Sequence, residues 1–171
     1  QEKFEKEYRI KKNQVPKKSL KFIENLDFKE KVKWYAEESQ DGKTFEAKVR
    51  YKKHKYSIEF SKEGNIIDVE KTVKFSQLQK KVIKKIIKTL EIRFKRYKIL
   101  KTQIQYTGSE SQIYNEVFQL TSHHKKATIN YELIVKGKTK SEYSKYEILI
   151  NSKEEILKEL KFKPSTSLKL E

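Results

Sequence analysis

The sequence predicts an α+β fold in which two αββββ repeats build one curved, antiparallel, eight-stranded sheet with helices packed on one face. The main observation is a repeated hairpin pattern. Residues 56–67 return as residues 146–157, with the aromatic start, the alternating apolar positions and the polar turn in register. Two shorter echoes lie upstream in the same order, residues 44–49 with 130–135 and residues 14–20 with 77–83. A pattern that recurs in fixed order indicates a repeated structural module.

The chain of 171 residues is predicted to form a single domain, because it is too short for two independent domains of usual size. Repeat one is placed at about residues 14–74 and repeat two at about 75–161. The offset between the copies grows from 63 to 90 residues, which predicts an insertion at residues 109–127. Residues 1–13 and 162–171 are predicted to be flexible tails.

Local patterns predict the elements of each repeat. Pro16 suits the first turn of a short helix, and Ser76 is predicted to cap a second helix that runs to about Arg96. Between the helices the apolar period changes to two, which is typical of strands with one buried face. This alternation places Trp34 on the apolar face. Residues 40–43 and 62–65 favour hairpin turns, and the insertion is predicted to be a short helix plus a loop.

The composition indicates a basic protein that recognises no specific nucleic-acid sequence. Its net charge of +17 comes from 37 Lys and only 4 Arg. Lysine is a mobile point charge, whereas arginine is favoured for reading phosphates and base edges, so the balance argues against dedicated nucleic-acid recognition. The chain has no Cys, which excludes disulfides and thiol nucleophiles. No apolar run approaches the roughly 20 residues that a membrane span needs.

The titratable residues argue against catalysis, a cofactor or a metal. Three His and three Asp leave little from which to build a general base or a metal cage. His123 and His124 are adjacent, and neighbours on a strand point to opposite faces. Glu46 and Glu132 occupy equivalent repeat positions, where cross-strand ion pairing is the expected role. The sequence therefore predicts a protein that is not an enzyme.

One family resemblance extends over residues 15–160. A helix, a strand with Trp34, a strand start at Phe45-Glu46, the turn Phe60-Ser-Lys-Glu-Gly64-Asn65, a fourth strand and a second helix resemble PepSY-like periplasmic proteins. Their fold is similar to that of β-lactamase-inhibitor proteins. The resemblance implies an exported protein of the bacterial envelope, periplasmic or secreted, without a catalytic role. Two departures are Gln79, where the family often has Pro, and Glu154, where a Gly is expected.

Binding to another protein or peptide is the predicted function. Strand alternation puts a polar, partly aromatic surface on the face opposite Trp34, and aromatic and Arg side chains are common anchors of interfaces. A face that is merely solvated is the other interpretation. The alternative function is binding of anionic surfaces, namely nucleic acid, lipopolysaccharide or lipid headgroups, by the lysine-rich backs of the helices. The predicted partner-binding residues are Tyr35, Lys48, Arg50, Lys33 and Glu46.

Overall fold

The computed structural model describes residues 1–119 and 125–164. Half of these residues (50%) lie in strands and 24% are helical. The described residues form three α-helices, α1 (Lys17–Glu24), α2 (Lys80–Arg93) and α3 (Glu110–Ile113), the last continued by a π-helical turn at Tyr114–Gln119. Short 3-10 segments lie at Lys12–Gln14 and Phe75–Gln77. The strands are β1 (Glu2–Lys3), β2 (Glu5–Arg9), β3 (Lys33–Ser39), β4 (Gly42–Tyr51), β5 (His54–Phe60), β6 (Ile66–Val73), β7 (Arg96–Thr107), β8 (Thr128–Thr139), β9 (Glu142–Asn151) and β10 (Ile156–Phe162).

The predicted eight-stranded antiparallel sheet with helices on one face is wrong. The hydrogen-bonded strand order is β1-β10-β9-β8-β7-β6-β5-β4-β3-β2, which makes ten strands. The two additional strands come from the N-terminal segment that was expected to be a tail. Strand β2 pairs with β3 antiparallel, and β1 pairs with β10 in parallel, Glu2 opposite Lys161. The segment is short and every residue of β2 is exposed, so its apolar pattern was too weak to predict strands.

The described chain divides into two compact units. The α1 unit contains Glu5–Val73 and Gln103–Asn130, and the α2 unit contains Gln1–Phe4, Lys74–Thr102 and the chain from Tyr131 onward. Strands β7 and β8 therefore contribute residues to both units.

The core of the α1 unit lies between α1 and the strands β3–β6. Trp34 is 2% exposed, which confirms its predicted place on the apolar face, and its ring centroid lies 5.9 Å from that of Phe60. Phe22 of α1 meets Phe60 edge-on, also at 5.9 Å. Such edge and offset contacts stabilise aromatic cores beyond simple area burial.

The core of the α2 unit joins α2 to β8–β10. Phe94 follows the helix and is 3% exposed, and its ring lies 5.1 Å from that of Tyr146. A Cβ on Gly137 would collide with the Phe94 ring, so only glycine fits this position of β8. The Arg93 guanidinium stacks 4.9 Å from the Phe94 ring centroid and binds both carboxylate oxygens of Glu159. These contacts fix the C-terminal end of α2 on the strands.

Several predicted boundaries shift. Helix α2 begins at Lys80 and not after Ser76, because residues 75–77 form a 3-10 turn in which the Gln77 side-chain oxygen accepts a hydrogen bond from Lys74 N at 2.9 Å. The insertion is helical over residues 110–119, as predicted, but residues 120–124 lie outside the described residues, together with His123 and His124. Strand β10 extends to Phe162, and the predicted tail residues 165–171 also lie outside the described residues.

The hairpins β5–β6 and β9–β10 share one loop geometry. Ser61 N donates to Asn65 O at 2.8 Å, and Asn151 N donates to Glu155 O at 3.0 Å. Each hairpin also contains a bulge: the register shifts between Glu59 and Phe60 in one and between Ile156 and Lys158 in the other. A bulge inserts one extra residue and so changes which side chains point to each face.

Candidate partner-binding face

A polar face lies on β2–β6 of the α1 unit, opposite the core. Residues directly opposite each other on antiparallel strands share a face, so the printed register places these side chains together. The polar face consists of Glu7, Arg9, Lys33, Tyr35, Glu37, Glu46, Lys48, Arg50, Lys55, Ser57, Glu59, Asp68 and Glu70. All five predicted binding residues belong to it.

Tyr35 is held between two cations. The guanidinium of Arg9 lies 5.4 Å from the centroid of the half-buried Tyr35 ring, and Lys48 Nζ lies 4.6 Å from it. Lys48 Nζ in turn binds Glu7 Oε1 at 2.6 Å. A cation within about 6 Å of an aromatic ring is attracted by the electrons of its face. These contacts fix the orientation of the Tyr35 ring in the isolated protein.

Glu46 is a largely buried carboxylate on this face. Ser57 Oγ donates a hydrogen bond to Glu46 Oε1, whereas Glu46 Oε2 lies 3.5 Å from Lys48 Nζ and accepts no hydrogen bond from the described residues. Burial raises the pKa of Glu46, and the hydrogen bond from Ser57 and the charge of Lys48 oppose that rise. Burial lowers the pKa of Lys48, but its hydrogen bond to Glu7 and the nearby Glu46 charge raise it overall.

A row of carboxylates crosses three strands beside Glu46. Glu46 is opposite Glu59, and Glu59 is opposite Asp68. Asp68 is 5% exposed and accepts a hydrogen bond from Gln105 Nε2 at 2.9 Å. Gln105 Oε1 accepts one from Asn130 Nδ2 at 3.0 Å. Asp68 lies on this face because it pairs with Glu59 in the regular part of the β5–β6 ladder, and the bulge that follows shifts the register so that Phe60 pairs with Ile66.

The other end of the polar face is basic. Lys33 is opposite Lys48, and Arg50 is opposite Lys55. Like charges placed directly opposite each other repel and destabilise the sheet. Lys33, Arg50 and Lys55 are exposed, and no carboxylate among the described residues forms an ion pair with any of them. We call these four side chains, Lys33, Lys48, Arg50 and Lys55, the basic end.

The structure brings three of the predicted residues into direct contact and leaves two exposed. Tyr35, Lys48 and Glu46 form the connected cluster, and Lys33 and Arg50 lie at its exposed margin. Sequence reasoning missed Glu7 and Arg9, because the pairing of β2 with β3 joins residues about thirty positions apart. The alternation Glu5, Glu7, Arg9 was the available signal, but it is short and charged.

The described residues contain no group of three or more His, Asp or Glu side chains that could hold a metal ion. Within the same residues, no helix has the length and apolar character that crossing a membrane requires.

No protein-family model, curated protein or solved structure matches the chain.

Proposed function

We propose that this protein is a non-catalytic binding protein of the bacterial envelope, and that the basic end of its polar face binds an acidic segment of another protein. The observation that carries the proposal is that the exposed cross-strand neighbours Arg50 and Lys55 carry like charge, and that neither these two nor the exposed Lys33 has an ion pair with a carboxylate among the described residues. The repulsion between Arg50 and Lys55 costs stability in the isolated chain. Acidic side chains from a partner would neutralise it, so the partner recovers free energy that the free protein lacks.

The neighbouring ring favours a polypeptide partner over a simple anion. Tyr35 offers apolar area and a hydroxyl beside the basic end, and Arg9 and Lys48 hold it in one orientation. A side chain that is already ordered loses little conformational entropy on binding. Tyrosine and arginine are the residue types that most often dominate interface energies, which makes Tyr35 and Arg50 the central candidates.

The rival function uses a different surface of the chain. The back of α2 exposes lysines such as Lys81 and Lys84, and a lysine-rich helix attracts any anionic surface without specificity. The two functions predict loss of binding in different variants. Both use exposed charge contacts, which salt screens strongly at about 0.5 M, so they are compared at about 0.1 M salt.

The test is a pull-down from envelope extract with three tagged proteins: the parent, a Tyr35→Ala/Arg50→Ala variant and a matched Lys81→Ala/Lys84→Ala variant. We expect the parent and the Lys81/Lys84 variant to retain the same partner at about 0.1 M salt. The Tyr35/Arg50 variant should lose at least about nine-tenths of it, as expected for truncating two interface anchors. Equal recovery by all three proteins would exclude the polar face, and a loss confined to the Lys81/Lys84 variant would favour the rival.

The envelope location is a separate part of the proposal and rests on the resemblance to PepSY-like proteins. Cell fractionation of the producing organism tests it directly. Recovery of the protein in the cytoplasmic fraction would refute the location and leave the binding face to be judged by the pull-down.

A further inference from the structure

The α2 unit contains a cleft that is separate from the polar face. The cleft has a volume of about 790 Å³. It is lined by the C-terminal end of α2, the start of β7, and residues near the end of β8 and the start of β9. That volume lies within the range of small-molecule sites in proteins. Four of its eight lining side chains are cationic, Lys95, Arg96, Lys98 and Lys136, and one, Glu91, is acidic.

The cations of the cleft are positioned by the fold. Lys95 N donates a hydrogen bond to Lys138 O at 3.0 Å, which ties the segment after α2 to β8. Lys136 and Lys138 lie two residues apart on one face of β8 and share the Tyr143 ring, with Nζ–centroid distances of 5.7 and 5.5 Å. Two ammonium groups beside one ring repel each other until an anion lies between them.

We infer that this cleft binds a compact ligand carrying several phosphate groups. Lysine ammonium groups bind phosphate oxygens through charge-assisted hydrogen bonds, and clustered cations favour a ligand with clustered negative charge. Among the described residues, no carboxylate forms an ion pair with Lys95, Arg96, Lys98 or Lys136, so their charges are available. The site and its ligand class are independent of the proposed polypeptide partner.

The aromatic walls distinguish this ligand from single-stranded nucleic acid. Sites for single strands present open aromatic faces on which bases stack. Here Phe94 is buried beneath Gly137, and the ammonium groups of Lys136 and Lys138 lie close to the Tyr143 ring. The Phe94 ring therefore offers no face to a base, and the Tyr143 ring already contacts the ammonium groups of two lysines.

Isothermal titration calorimetry with inorganic tripolyphosphate tests the inference. The parent is compared with Lys98→Gln/Lys136→Gln and with the matched variant Lys81→Gln/Lys84→Gln, which removes the same charge from the back of α2. We expect the cleft variant to bind at least about tenfold more weakly and the helix variant to stay within about threefold of the parent. Tyr143→Leu should also weaken binding, because it removes the ring that orients two lysines. All the substituted side chains are exposed, so unchanged thermal unfolding should accompany these results.

Vesicles identify the source of the phosphate groups. Phosphatidylcholine vesicles with and without phosphatidic acid are sedimented with the same proteins. Binding that requires phosphatidic acid and is lost in Lys98→Gln/Lys136→Gln assigns the site to a lipid headgroup, whereas tripolyphosphate binding alone assigns a free phosphorylated ligand. Equal weakening in the cleft and helix variants, or no tripolyphosphate binding by the parent, would overturn the inference. Neither result depends on the pull-down, because the cleft variant keeps Tyr35 and Arg50.

Discussion

The hairpins β5–β6 and β9–β10 have the same loop hydrogen bonds and a bulge each, but they contact their helices by different means. The residue with a left-handed backbone is Gly64 in the first, at φ 87°, and Glu154 in the second, at φ 71°. A Cβ on Gly64 would lie 2.9 Å from Pro16 Cβ, so the missing side chain allows α1 to approach closely. Glu154 instead extends its carboxylate toward α2, 3.8 Å from both Lys85 Nζ and Lys88 Nζ.

The hydrogen bonds that helix side chains make to the two loops differ as well. Ser19 Oγ donates to Gly64 O at 3.3 Å, and Lys18 binds the Asn65 side chain. In the other unit, Lys85 Nζ donates to Ser152 O at 3.2 Å. Close packing in one unit and ionic contact in the other hold the same loop in place. A loop geometry can therefore persist while the interaction that anchors it changes from steric fit to charge.

The largest loss of stability is expected when the aromatic side chain that packs against the first hairpin is removed. Trp34→Ala should destabilise the protein by roughly 3–5 kcal/mol, because it empties a core site that is 2% exposed and packed on Phe60. Chemical denaturation measures the loss. Tyr35→Ala, on the opposite face, is the control and should cost only about 1 kcal/mol from its lost cation–π contacts. If the Tyr35 variant were the less stable of the two, the assignment of the faces would be inverted.

Exchanging the hairpin residue tests the steric anchor. Gly64→Glu should cost roughly 2–4 kcal/mol, because a left-handed backbone penalises any side chain and the new Cβ meets Pro16 and Ser19. The denaturation midpoint is compared with that of Lys62→Gln, which lowers the charge of the same loop by the same one unit at an exposed position. Equal midpoints for the two variants would show that α1 does not depend on close approach at residue 64.

Two carboxylates near the first hairpin should respond to pH in opposite directions. Burial raises the pKa of Glu46 above 4.5, so in the unfolded chain this group loses its proton at lower pH than in the folded chain. Stability therefore falls as pH rises from about 4.5 through the folded pKa. Glu46→Gln should remove that fall.

Glu63 is the control with the opposite sign. Hydrogen bonds from its own backbone N–H and from Ser61 lower its pKa, so its stabilising contribution exists above pH 4.5 and is lost as pH decreases through the folded pKa. Urea unfolding of Glu46→Gln, Glu63→Gln and the parent is measured between pH 3 and 8, roughly the range in which carboxylates titrate. Parallel pH profiles for Glu46→Gln and the parent would contradict the assigned burial effect.

The smallest expected effect concerns the ionic anchor. Glu154→Gly relieves a left-handed backbone, worth about 1–2 kcal/mol, and loses two partly exposed ion pairs, worth roughly 0–1 kcal/mol each. We expect a net change within about 1 kcal/mol, and Glu154→Ala should be less stable because it loses the ion pairs and keeps the strain. A Gly variant less stable than the Ala variant would mean that the Glu154 backbone is not strained.

Sequence patterns predicted the parts of this structure that depend on local periodicity. The alternation around Trp34 identified the buried face, and the turns of both hairpins follow from residues close in the chain. Bulges and long-range pairings were beyond such reasoning. The bulge between Ile66 and Asp68 breaks the period of two, and the contacts of Arg9 with Tyr35 require that β2 pair with β3. The N-terminal strands were missed for the same reason, which made the predicted sheet two strands too small.

Strand β1 affects the order in which the chain can fold. Glu2 and Lys3 pair with Lys161 and Phe162, so these two residues can find their partners only after the chain has been synthesised as far as residue 162. Closing so long a loop has a high entropic cost before any contact compensates it, and pairings of this separation form slowly. The neighbouring residues of β2 can pair much earlier, since their partners in β3 follow within about thirty residues. During synthesis the α1 unit can therefore gain its edge strand β2 early, whereas the α2 unit stays incomplete until β10 has been synthesised.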